Sequence, residues 1–202
     1  MNRCHSSTRK YTGKNATHLW HNHVLDVDSE LKDEWLDRLN SIAGVQVTLS
    51  CSGDPKDKES GKYPCFEFVL TPPFTRKETL LSDALHIAVS ISGKSDSIVN
   101  VVSSLDPNEI DFEFTVDRGV VTLQDSNGDE IENFSSEDRR LWKLVDELDI
   151  KYTPKTNKKD PYYWVRPDIA VTSRIIHKPQ FHNAISQWWL DTLKALEDSM
   201  SV

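Results

Sequence analysis

Apolar side chains recur along this chain with two periods, and the switches between them divide it into elements. Leu31, Trp35, Leu36, Leu39 and Ile42 fall at helical spacing, so they share one face of a helix. Asp28 or Ser29 can cap that helix, Glu30 complements its positive end, and Gly44 sits just past the last turn. The pattern predicts a helix over 28–43. Val45, Val47 and Leu49 then alternate with Gln46, Thr48 and Ser50, the period of a strand with one wet face. A second strand is expected over 66–70, stopped by Pro72-Pro73, neither of which can donate to a ladder.

Leu85, Ile87, Val89 and Ile91 alternate with His86, Ala88, Ser90 and Ser92 and read as a third strand. The next segment, 95–105, is read as a helix, because Ile98, Val99, Val101 and Val102 share a helical face as well as being β-branched. Phe112, Phe114 and Val116 lead through Asp117-Arg118-Gly119 into a returning strand over 120–124, and Asn127-Gly128 turns the chain again into 131–134. Ser135 with Asp138 resembles a capping box, and Leu141, Leu144, Val145 and Leu148 mark a helix over 136–149. Residues 162–176 read as extended. A last helix covers 179–198, with Phe181, Ile185, Trp188, Trp189, Leu193 and Leu196 as its stripe. Adjacent Trp188 and Trp189 diverge by about 100° around a helix, so one ring is expected to serve a neighbouring element or a second chain, as in a homo-oligomer.

These elements predict an α+β fold, a mostly antiparallel sheet packed against about three helices. Residues 1–17 are polar and aperiodic and read as a flexible leader, leaving 18–202 as a single domain. A chain of 202 residues buries roughly 70% of its unfolded surface, enough for one good core.

The net charge of −8 disfavours non-specific contact with polyphosphate or anionic membrane surfaces. No stretch approaches the roughly 20 apolar residues of a membrane span, and no apolar run marks a signal peptide. Cys4, Cys51 and Cys65 are too few for a disulfide scaffold. A cytoplasmic setting is therefore expected. Phosphate-binding loops of the Gly-x-x-x-x-Gly-Lys type, dinucleotide fingerprints and hydrolase elbows do not occur.

Candidate chemistry lies in four places. Ser50-Cys51-Ser52-Gly53 leaves a predicted strand, and Gly53 permits a positive φ, so successive amides there can form an anion nest beside two hydroxyls and a thiol. The same residues also make an ordinary turn with Cys51 as a small buried hydrophobe. His21 and His23 would point one way on an extended segment and, with Cys51, Cys65 or His86, could hold a transition metal; a surface histidine cluster is the other reading. His86 stands four residues before Ser90, a base near a hydroxyl or a structural residue. Lys155, Lys158, Lys159, Tyr162, Tyr163, Trp164 and Arg166 interleave cations with rings, as in proteins that stack unpaired bases of RNA or a nucleotide.

Leu39-Asn40-Ser41 followed by the run from Thr48 to Gly53 resembles the N-terminal motif of the wybutosine-synthesis tRNA methyltransferase family. That family continues with Arg and Ile, where this chain has Asp54 and Pro55. The resemblance implies an S-adenosylmethionine-dependent tRNA-modifying enzyme with Ser50, Ser52 and Gly53 near its site. Two functions are thus carried forward: an enzyme or binding protein for a phosphate-bearing ligand at this turn, and a non-catalytic protein-interaction module.

Overall fold

A computed structural model describes residues 8–13, 26–28, 32–51, 63–70, 80–103, 112–151, 167–176 and 179–201. The described strands are β1 (Thr8–Lys10), β2 (Asp26–Asp28), β3 (Val45–Cys51), β4 (Cys65–Leu70), β5 (Ser97–Ser103), β6 (Phe112–Asp117), β7 (Val120–Asp125), β8 (Glu130–Ser135) and β9 (Asp168–Ser173). The helices are α1 (Asp33–Leu39), α2 (Leu80–Lys94), α3 (Arg139–Lys151) and α4 (His182–Met200), the last entered through a 3-10 turn at Pro179–Phe181. Strands β1 and β2 pair with each other, and the rest form one antiparallel sheet of seven in the order β3-β4-β9-β5-β6-β7-β8. The fold is α+β. No helix among the described residues is long and apolar enough to cross a membrane.

Ladder register places the apolar strand residues in two cross-strand rows on one face. Phe68, Ile169, Val101, Phe114 and Leu123 form one row, and Phe66, Val171, Val99, Val116, Val121 and Phe134 the other. All are buried. Such a face must be covered, and the helices cover it: α4 contacts α1 and α2, and α2 contacts α3 and lies on β5 and β6. The meander from β5 to β8 is set by local turns. Between β6 and β7, Arg118 and Gly119 both take positive φ (48° and 80°), the two-residue hairpin geometry that suits the right-handed strand twist.

Two expected elements are exchanged. Residues 85–91 belong to α2, not a strand, and 97–103 form β5, not a helix. In α2 the buried positions are Leu81, Ala84, Leu85, Ile87, Ala88, Ile91 and Ser92, a broad helical stripe that begins before the alternating run. In β5 the β-branched residues alternate, Val99 and Val101 inward and Ile98, Asn100 and Val102 half-exposed. Ser92 then ties the two segments to the hairpin: its hydroxyl accepts the Arg118 N–H at 3.2 Å and lies 3.3 Å from the Ser97 carbonyl.

Helix α1 is shorter than expected. Lys32 stands at its N-cap without a side-chain hydrogen bond, and Asp28 is in β2. The cap of α3 is Asp138, which accepts the Arg140 N–H at 2.8 Å, rather than Ser135. Of the stretch read as a leader, residues 8–13 are described. They carry β1 and Tyr11, a fully buried ring whose hydroxyl donates to Asp37 of α1. Burial and that hydrogen bond push the phenol well above its usual pKa.

Trp188 and Trp189 diverge as expected, their rings at 71° to each other, yet both are buried in the core. Trp189 stacks between Phe66 of β4 and Trp35 of α1, at 5.4 and 5.2 Å, while Trp188 donates its Nε1–H to Ser97 Oγ at 2.9 Å. Because α4 has the sheet below and α1 on its flank, two directions on one helix both meet apolar partners. Neither ring is left for a second chain.

The N-terminus of α2 is capped from another helix: Asp149 of α3 accepts the N–H groups of Leu81 and Ser82 at 2.9 and 3.0 Å. Asp149→Ala orphans both donors and should cost about 1–2 kcal/mol, read as a lower urea midpoint. Asp149→Asn, which keeps an acceptor, should cost less; an unchanged midpoint in Asp149→Ala would show that the cap contributes nothing.

Candidate binding face

Residues that alternate with the core rows project to the opposite, outer face of the sheet, and register gathers them into three further rows. One runs Val69, Asp168, Val102, Glu113, Gln124 and Glu130; the next Glu67, Ala170, Asn100, Thr115, Thr122 and Asn133; the third Cys65, Thr172, Ile98, Asp117, Val120 and Ser135. Five positions are carboxylates and none is Lys or Arg.

Their surroundings are not those of ordinary surface acids. Burial, followed by the nearby Asp168 charge, holds the Glu67 carboxyl above the usual range. Glu113 is raised by burial, against the hydrogen bond it accepts from Asn100 Nδ2 at 2.5 Å. Burial also raises Asp168, which is more exposed as a residue, so Glu67 and Glu113 carry the argument. Among the described residues none of these three is ion-paired, whereas Asp117 is bridged by Arg174, which also lies 3.6 Å from Asp96. Asn100 Oδ1 is buried and accepts no hydrogen bond from any described residue. Among the described residues, the centre of the face is thus an acceptor set short of donors.

The residues singled out from sequence fall elsewhere. Ser50 and Cys51 are the last two residues of β3, opposite Phe66 and Cys65; Ser52 and Gly53 lie outside the described residues. His86 is on the exposed side of α2, stacked on Trp142 of α3 with ring centroids 3.9 Å apart. Ser90 is a turn further along that helix, its hydroxyl 2.9 Å from Ser199 Oγ. His21, His23, Lys155, Lys158, Lys159, Tyr162, Tyr163, Trp164 and Arg166 lie outside the described residues. Among the described residues no group of three His, Cys, Asp or Glu side chains could hold a metal ion.

A cleft of about 240 Å³ opens where α1 and α4 end, lined by Arg38, Ile42, Glu197 and Met200. Its charges are spent on each other: Arg38 grips Glu197 through two 2.6 Å hydrogen bonds, which hold the Glu197 carboxyl below its ordinary range. That fork joins the two helices and leaves the outer sheet face as the stronger candidate.

No single segment announced that face, because its acids are contributed by β4, β6, β8 and β9 and meet only through strand order. The usable signal was the polar half of each alternating run. Raised carboxyl pKa values mean that the folded chain binds protons more tightly than the unfolded chain. Stability should therefore fall as pH climbs from about 4.3 through the raised values of Glu67 and Glu113. Glu67→Gln should raise the urea midpoint near neutrality and flatten that slope. A midpoint lowered at neutral pH and unchanged in acid would mean that the charge stabilises the fold.

No family model matches this chain, and neither a curated protein nor a solved structure matches it.

Proposed function

We propose that this chain is a non-catalytic interaction module whose outer sheet face takes a lysine- and arginine-rich segment of a partner protein. The observation that supports the reading is that five positions of the three rows are carboxylates and none is Lys or Arg, Arg174 reaching only Asp117 at the edge. A basic segment supplies what that face lacks, cations for Glu67, Glu113 and Asp168 and an N–H donor for Asn100 Oδ1. Each exposed ion pair is worth only about 0.2–1 kcal/mol. Affinity must then come from several together, with half-buried Ile98 and Val102 offering apolar contact between them. The net charge of −8 adds long-range steering toward a cationic partner.

The phosphate-ligand reading at Ser50-Cys51-Ser52-Gly53, with S-adenosylmethionine as its cofactor, makes the reverse electrostatic demand. The two are separated by one titration series. Labelled oligolysine and oligoarginine peptides, single-stranded RNA, a nucleotide and S-adenosylmethionine are each added to the full chain and followed by anisotropy or calorimetry. The basic peptides should bind, with affinity falling as salt rises, and Glu67→Gln with Glu113→Gln should weaken them by about tenfold or more while the fold survives. Binding of RNA or S-adenosylmethionine without binding of the basic peptides would falsify the proposal in favour of the other reading.

A further inference from the structure

We propose that Cys51 and Cys65 form an intrachain thiol–disulfide pair that closes across the end of the β3–β4 ladder on exposure to a small disulfide such as oxidised glutathione. The two residues are the last register partners of that ladder. Directly opposed Cα atoms in an antiparallel pair lie about 4.5 or 5.5 Å apart, inside the roughly 4.4–6.8 Å that disulfides span. Opposed residues also project to the same face of a sheet. Bridging therefore asks for little backbone movement.

A β-bulge creates this register. Val45, Gln46 and Val47 stand opposite Leu70, Val69 and Phe68, whereas beyond the irregularity Leu49, Ser50 and Cys51 stand opposite Glu67, Phe66 and Cys65. In a regular ladder Cys51 would face Pro64, and Cys65 would face Ser50. One extra residue on β3 thus turns two offset cysteines into a matched pair. Cys65 is partly exposed, and β3 is an edge strand of the large sheet.

The chemistry balances with glutathione disulfide as the oxidant. One cysteine, as thiolate, attacks a glutathione sulfur, forming a mixed disulfide and expelling one glutathione. The second cysteine attacks the protein sulfur of that mixed disulfide and expels the other. The two thiol protons end on the two glutathione molecules, and the two electrons lost by the cysteine pair are those that reduce the glutathione disulfide. The bridge closes the loop over 52–64 and restricts the unfolded chain more than the folded one. It also fixes the edge of the outer face, because Cys65 shares a row with Thr172, Ile98 and Asp117.

The test uses the full chain with Cys4→Ser, so that two cysteines remain, alongside the unaltered chain in case that variant folds poorly. Both are incubated natively with oxidised glutathione and mapped as unreduced peptides. The expected result is one linked peptide pair containing Cys51 and Cys65, no retained glutathione, and a urea midpoint that rises on oxidation and falls back with reductant. Cys51→Ser in the same background should instead keep one glutathione and show no rise. A persistent glutathione adduct on Cys65, links between chains, absence of reaction, or a lowered midpoint in the bridged form would each overturn the pairing.

Discussion

The inner sheet face imposes the constraint from which the rest of the architecture follows. Phe66, Phe68, Phe114, Val99, Val101, Ile169 and Val171 lie side by side across three ladders and are almost completely withdrawn from water. At roughly 25 cal/mol per Å² of apolar surface, leaving such a face wet would exceed the stability of any domain this size. The cover is organised by Trp189, whose ring lies against Phe66 beneath and Trp35 beside it. That stack fixes α4 on β4 and fixes α1 on α4. Once α4 is placed, α2 has one flank, and α3 packs on the other. The helices are thereby committed to the inner face, and the polar rows lie on the other.

Elements whose signals are local were legible in the sequence. Asp117-Arg118-Gly119 and Asn127-Gly128 fix the β6–β7–β8 meander within a few residues of themselves, and the stripe of α3 is self-contained. The exchange of α2 and β5 has a specific cause. Leu85 to Ile91 alternates like a strand, but Leu81, Ala84 and Ala88 extend a helical stripe through it, and the helix begins at Leu80, before the alternating run. Ile98 to Val102 satisfies both periods, and its β-branched side chains settle into the sheet once β9 and β6 flank them. Tyr11 was hidden in a polar context, because one ring carries no period.

The outer face was illegible for a different reason. Glu67, Glu113 and Asp168 are far apart in the chain, and β9 enters the sheet between β4 and β5 after the whole meander has been laid down. A search for chemistry-bearing motifs weighs residues that are close in sequence. The Ser50–Gly53 run and the lysine-rich segment are motifs of that kind. Register, by contrast, follows from long-range pairing, and a single bulge changes it: Val45, Val47 and Leu49 read as one face in sequence, yet Leu49 stands opposite Glu67 on the outer one.

The electrostatics of that face carry the last step. A carboxylate whose pKa is raised mainly by burial opposes folding at neutral pH, and Gln in place of Glu67 or Glu113 would fit the same volume without that cost. A fold optimised for stability alone would use the amide. The chain instead holds Glu67, Glu113 and Asp168 together on one face, leaves them without ion pairs among the described residues, and sets beside them an amide oxygen that lacks a donor. Local departures from the stability optimum of this kind mark positions where a function uses the group. Here the deficit has a sign: among the described residues these groups are short of cations and of N–H donors, which is what the proposed basic segment would supply.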